Sequence, residues 1–142
     1  MRFVLPEDKK LVHEMTIPIR WGDMDAMGHV NNTIYFRFFE IVRLDWFFHV
    51  SKAHGITRLD REGVIIVNAF CNFIRQLEFP GEVRARFYVA NLGRSSFDTY
   101  LTLERTDEPG VVYCEGGATT VWSDYAAKKS KPVPDWMRAL VG

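Results

Sequence analysis

Asp23 and Asp25 lie in a glycine-punctuated stretch, Gly22 to His29, that runs into Asn31-Asn32-Thr33 and then a segment free of Gly and Pro as far as His54. Asn and Thr cap helices because their side-chain oxygens accept hydrogen bonds from the first unpaired N–H groups. A helix beginning here presents donors with partial positive charge, an arrangement that stabilises an oxyanion. A carboxylate seven positions before Asn32 can attack a carbonyl carbon or take a proton from water, and the residues leave both routes open. Without its neighbours, Asp25 would read as an ordinary turn or cap residue. Asp23 reads as an acceptor that orders the loop.

The elements that must position these groups follow from periodicity. His13 to Trp21 puts Met15, Ile17 and Ile19 on one face, which predicts a strand, and Pro18 predicts an edge or bulge position for it. From Ile34 to Phe48 apolar residues occupy nearly every angular position, so the predicted helix should be enclosed on most sides. Arg37, Glu40 and Arg43 form a narrow polar stripe along it. The period then changes to two: Val64 to Phe79 reads as one strand whose odd-numbered residues are apolar except Arg75, while its even face mixes Ile66 and Phe70 with Asn68 and Asn72. Glu82 to Leu92, Phe97 to Arg105 and Val111 to Ser123 read as three more strands separated by Gly and Pro turns, and Asp135 to Val141 as a short helix after Pro134. One strand, one long helix and about four strands predict an α+β fold in which an antiparallel sheet wraps a central helix. No linker or repeat interrupts residues 1–142, so a single domain is expected.

Composition narrows the function classes. Eighteen basic and eighteen acidic side chains give zero formal charge, which argues against nucleic acid or an acidic membrane surface as partner. No apolar run approaches a membrane span, and the first ten residues turn polar too soon for a signal peptide, so a cytoplasmic protein is expected. Cys71 and Cys114 have no metal-knuckle spacing and are expected to be buried thiols in a reducing compartment. His13, His49 and His54 lack ligand spacing and read as surface or core filling. The 14% aromatic content demands a large core or an oligomer interface.

The run from Arg20 to Tyr35, R-W-G-D-M-D-A-M-G-H-V-N-N-T-I-Y, with Glu40 following, resembles the opening motif of hotdog-fold thioesterases of the 4-hydroxybenzoyl-CoA thioesterase-like branch. Its H-V-N-N-x-x-Y portion is also similar to plant acyl-ACP thioesterases. Gly93-Arg94-Ser95-Ser96-Phe97 and the Lys-Pro-x-Pro tail carry the resemblance from about His13 to the end. The resemblance implies a hotdog fold, hydrolysis of an acyl-CoA to acid and free CoA, and no metal or redox cofactor, CoA being part of the substrate. It places the active carboxylate on Asp25 and the carbonyl-polarising backbone amide at or near Asn32, with His29 as a supporting polar group. Acyl-ACP thioesterases carry Asn two residues after the active Asp. This chain has Met27 there, so acyl-CoA is the expected substrate.

On the substrate side the candidates are Gly28 in the loop, Asn68 and Asn72 toward an acyl pocket, and Arg94, Ser95 and Ser96 for CoA phosphates, with Lys128, Lys129 and Lys131 as a second basic cluster. Solvated charges and satisfied interface amides are the plain alternatives for these groups. Glu40 is expected to pair with an arginine. The resemblance and the neutral charge imply a homodimer or a dimer of dimers with the site between subunits. From another function class, the same fold would serve as a non-catalytic acyl-ligand or partner-binding protein.

Overall fold

In the computed structural model, which describes residues 1–142, the chain runs β1 (Lys10–Ile19), a 3-10 turn (Trp21–Asp23), α1 (Asn32–Ala53), β2 (Glu62–Phe73), β3 (Gly81–Ala90), β4 (Ser96–Arg105), β5 (Val112–Asp124), β6 (Lys129–Ser130) and α2 (Asp135–Val141). The strands form one antiparallel sheet in the order β1-β3-β4-β5-β2, with β6 against the end of β5. Alternation in β3 sends Val83, Ala85, Phe87 and Val89 into a core of 23 buried residues that also takes Phe97, Leu101 and Leu103 from β4 and Tyr35, Phe38, Phe39, Val42 and Trp46 from α1. Helix and sheet approach closely because Gly116 offers no side chain. A Cβ there would collide with the Phe39 ring and the Phe70 carbonyl oxygen.

Two expectations need correction. The predicted strand Val64 to Phe79 ends at Phe73. Beyond it the Ile74 and Arg75 N–H groups both donate to the Tyr113 carbonyl (3.0 and 2.9 Å), which turns the chain out of the ladder. The register of β2 against β5 also slips between Ile66 and Asn68. A bulge adds one residue and reverses the two-residue phase, so the apolar face is not one continuous odd-numbered set. Val64 and Ile66 oppose Trp122 and Thr120, whereas Ala69 and Cys71 oppose Ala118 and Gly116.

Helix α1 is also not enclosed within one chain. Its sheet-facing side is sealed, with Phe39 2% and Val42 0% exposed, but Ile41, Leu44 and Phe48, at i, i+3 and i+7, remain open to solvent on the far side, Phe48 at 51%. The sheet covers only one side of the helix, and no other element of the chain reaches the opposite one. Arg37 pairs with Glu40 (2.6 Å), as expected for Glu40. Pro18 does lie on an edge strand, β1.

Candidate active site

Local hydrogen bonds build the site before tertiary contacts complete it. Asn31 caps α1: its Oδ1 accepts from the Thr33 N–H and hydroxyl, both at 2.9 Å. The Asn32 N–H, one position earlier, stands at the first helical residue, where no carbonyl precedes it in the helix. Asp23 does the ordering work expected of it, accepting from the Arg20 N–H at 2.8 Å through Oδ2 and from the Asn31 N–H at 2.9 Å through its carbonyl.

Asp25 is held differently. Its Oδ1 accepts from the Met27 N–H (2.9 Å) and the His29 N–H (3.3 Å), and its own N–H donates to the His29 carbonyl (2.8 Å). Gly28 closes this turn at φ +82, a left-handed conformation that costs glycine little. One carboxylate oxygen is thus fixed by the backbone, and Oδ2 carries no protein hydrogen bond. The turn reading and the chemical reading of Asp25 are compatible, because each uses a different oxygen.

Long-range contacts place this loop against the chain that leaves β2. Val30 N–H donates to the Leu77 carbonyl at 2.8 Å, the buried Tyr35 hydroxyl accepts from the Leu77 N–H at 3.1 Å, and His29 Nε2 lies 3.6 Å from Glu78 Oε1. Burial raises the Tyr35 hydroxyl above the ordinary phenol range, although the Leu77 bond works the other way. The result is a cleft of about 660 Å³ with Asp25, Met27, His29, Val30, Asn32 and Tyr35 on one wall and Phe73, Ile74, Arg75 and Gln76 on the other. The second wall is absent from the sequence-based candidates. Arg75, the single polar residue in the odd-numbered set, is the signal that the strand stops there.

The structure therefore gathers Asp25, His29 and Asn32 into one cleft, with Gly28 in its loop. Asn68 and Asn72 are elsewhere. Asn72 opposes Glu115, and both share the face of Gly117, where an added Cβ would meet Phe70 and Tyr100 rather than α1. Both amides are occupied: Asn68 Oδ1 accepts from the Thr119 N–H at 3.1 Å, and Asn72 exchanges two hydrogen bonds with the Phe3 backbone. The N-terminal arm is tied to the same face by Arg2–Glu115 (3.0 Å) and by Phe3 on Phe70 (4.8 Å between centroids). Within one chain neither asparagine reaches the cleft.

Arg94, Ser95 and Ser96 lie at the opposite end of the sheet from Asp25. The Ile19–Gly81 pair marks the Asp25 end of β1 and β3, whereas the 91–96 turn follows Ala90, nine steps of about 3.3 Å farther along β3. Trp122 N–H donates to the Ser95 carbonyl and Val133 N–H to that of Arg94, which puts the lysine cluster of Lys128, Lys129 and Lys131 at that same far end. Both cysteines are free, Cys114 buried and Cys71 half-buried, and burial together with Cys71 drives the Cys114 thiol up. Nowhere do three His, Cys, Asp or Glu side chains converge to hold a metal ion, and no helix is long and apolar enough to cross a membrane.

A family model described as the thioesterase-like superfamily matches residues 19–141. Among solved structures, a Pseudomonas aeruginosa protein provisionally described as a thioesterase is 35% identical, with a TM-score of 0.84 over 94% of this chain and 100% of its own. A Xanthomonas campestris protein provisionally described as an acyl-CoA thioesterase is 28% identical, with a TM-score of 0.76 over 87% of this chain and 100% of its own. The Bacillus subtilis protein YsmA, described as uncharacterised, is 26% identical over 117 residues, spanning 76% of this chain and 78% of its own.

Proposed function

The chain belongs to the thioesterase-like superfamily, has the hotdog fold and is a thioester hydrolase, and on that footing we propose that it cleaves acyl-CoA to the acid and free CoA without a metal or redox cofactor. The observation that carries the reading is the pairing, in one cleft, of a carboxylate with a free oxygen and a helix-start N–H without an intrahelical partner. The thioester carbonyl oxygen sits at the Asn32 N–H, where the helix terminus stabilises the charge that develops on it. Asp25 Oδ2 then acts on the carbonyl carbon directly or through a water it deprotonates. The two backbone bonds to Oδ1 leave Oδ2 free for the reaction, and His29, whose Nε2 lies 3.6 Å from Glu78 Oε1, flanks the loop from the side. The Xanthomonas protein supports CoA as the thiol, as does Met27 at the position where acyl-carrier-protein enzymes carry Asn. A thiol-release screen over short, medium, long and aryl acyl-CoAs tests the proposal. Release of CoA from at least one class is expected; tight acyl-CoA binding with no release from any would assign the protein to ligand binding instead.

The assembly we propose is a homodimer through β2, alone or as half of a dimer of dimers in a reducing cytoplasm. One edge of β2 pairs with β5 and the other is free. No charged residue interrupts Val64 to Ile74, while Val67 is 57% exposed and Ile65, Phe73 and Ile74 are exposed beside it. An unguarded apolar edge is a template for pairing with another strand, and a two-fold lets each copy serve the other. Light scattering should show a dimer or tetramer, and Ile65→Lys with Val67→Lys should shift it toward monomer with loss of activity. A wild-type monomer at micromolar concentration with full turnover would overturn the proposal.

A further inference from the structure

Tyr35 lies one turn into α1 and lines the Asp25 cleft, yet it is only 3% exposed. Its ring stands edge-on against Phe73 at 4.9 Å between centroids, which fixes the direction of the phenol. The hydroxyl oxygen accepts from the Leu77 N–H at 3.1 Å, and Leu77 is tied to the cleft in turn by the bond from the Val30 N–H to its carbonyl. Those bonds use the oxygen as an acceptor and leave the donor over: no protein group accepts the phenol proton. A buried phenol ordinarily donates to a partner. Asp25 Oδ2, on the same cleft, is the complementary case, an acceptor with no protein donor.

We propose that the Tyr35 hydroxyl donates to the water that hydrolyses the thioester and holds it against Asp25 Oδ2; the assignment rests on the Asp25 reading above and selects the second of its two routes. A water molecule that accepts from Tyr35 and donates to Oδ2 satisfies both groups, and its oxygen keeps a second lone pair for the carbonyl carbon. As that oxygen bonds to the carbon, one water proton passes to Oδ2 and the carbonyl electron pair moves onto the oxygen at the Asn32 N–H. Collapse restores the carbonyl and breaks the C–S bond, and the leaving thiolate takes the proton from the Asp25 carboxyl. The products are the acid and the free thiol, and Asp25 is an anion again. Tyr35 stays neutral throughout. Burial holds its proton above the ordinary phenol range, so the donor is present at neutral pH.

Tyr35→Phe keeps the ring on Phe73 and removes the hydroxyl. Measured on whichever thioester the protein cleaves fastest, its kcat should fall about ten- to a hundredfold, the range for a hydrogen bond to a group that gains charge. Kd for the uncleavable thioether analogue of that substrate should stay within about twofold of wild type, because the bond strengthens only as the water reacts. An unchanged kcat overturns the proposal, and so does an equal loss of binding and turnover, which would make the hydroxyl a structural prop.

Because Tyr35→Phe also strips the Leu77 N–H of its partner, a second variant separates the two bonds of the oxygen. Tyr35→3,5-difluorotyrosine keeps the oxygen and ionises at a lower pH than tyrosine. A phenolate still accepts from the Leu77 N–H but has no proton to give. Its kcat, relative to wild type, should therefore fall as pH rises through the ionisation of the fluorinated phenol. Cys71, Cys114, Asp25, His29, Arg75 and Glu78, the ionisable groups around the ring and the cleft, are common to both proteins, so the ratio of the two profiles isolates the phenol. A level ratio overturns the donor role.

Turnover in heavy-oxygen water should leave the Asp25 side chain unlabelled, and label there would mark it as the nucleophile and overturn the water route. Inactive Asp25→Asn beside fully active Tyr35→Phe would strike the Tyr35 assignment alone. Fully active Asp25→Asn would strike the Asp25 reading and this one with it.

Discussion

Asp25→Asn protein should fold and assemble like wild type and hydrolyse acyl-CoA roughly 10² to 10⁴ times more slowly, the usual cost of losing a general base, and more if Asp25 is the nucleophile. Folding should survive because the amide oxygen of asparagine can still accept from the Met27 and His29 N–H groups, the two bonds that shape the turn. Chemistry should not, because the second oxygen, which carries no protein hydrogen bond, becomes an amide nitrogen with no useful basicity or nucleophilicity at neutral pH. Asp23→Asn should cost less, since that carboxylate is engaged with the Arg20 N–H. Turnover of the best acyl-CoA from the screen, with circular dichroism and oligomer size measured alongside, decides the matter. A folded Asp25→Asn enzyme that keeps more than about a tenth of wild-type turnover, above even the mildest general-base loss, would remove Asp25 from the mechanism.

Phe39→Ala should destabilise the protein by about 3–5 kcal/mol, the range for truncating a buried phenylalanine. The ring is 2% exposed, lies over Gly116 and is in edge contact with Phe36 at 5.9 Å between centroids. Removing it leaves a cavity between α1 and β5 that Gly116, having no side chain, cannot fill. The loss should also reach the cleft, because Phe36 and Tyr35 both rest on Phe73. Denaturant titration should show a lower midpoint with an unchanged slope. A midpoint equal to wild type would mean that the helix does not seal against the sheet at this position.

How much of this protein is legible in its amino-acid order depends on how far each decisive contact reaches along the chain. The cap of α1 is written locally, as Asn31 bonding Thr33, and so is the Asp25 turn, closed by residues two and four positions on. Side-chain to backbone bonds of this range need no tertiary partner, so the Asp25 loop and the helix start are readable where they stand. The alternation of β3 and β4 is equally plain, because burying one face of a pleated strand requires it. What tertiary structure alone decided is where β2 stops and which way its asparagines face. Its end at Phe73 depends on the Tyr113 carbonyl and the Tyr35 hydroxyl, both about forty residues away. The bulge between Ile66 and Asn68 reverses the phase of a pattern that sequence alone presents as continuous. The far wall of the cleft and the outward turn of Asn68 and Asn72 follow from those two events. They arise from register between strands some fifty residues apart, and a period of two carries no record of register.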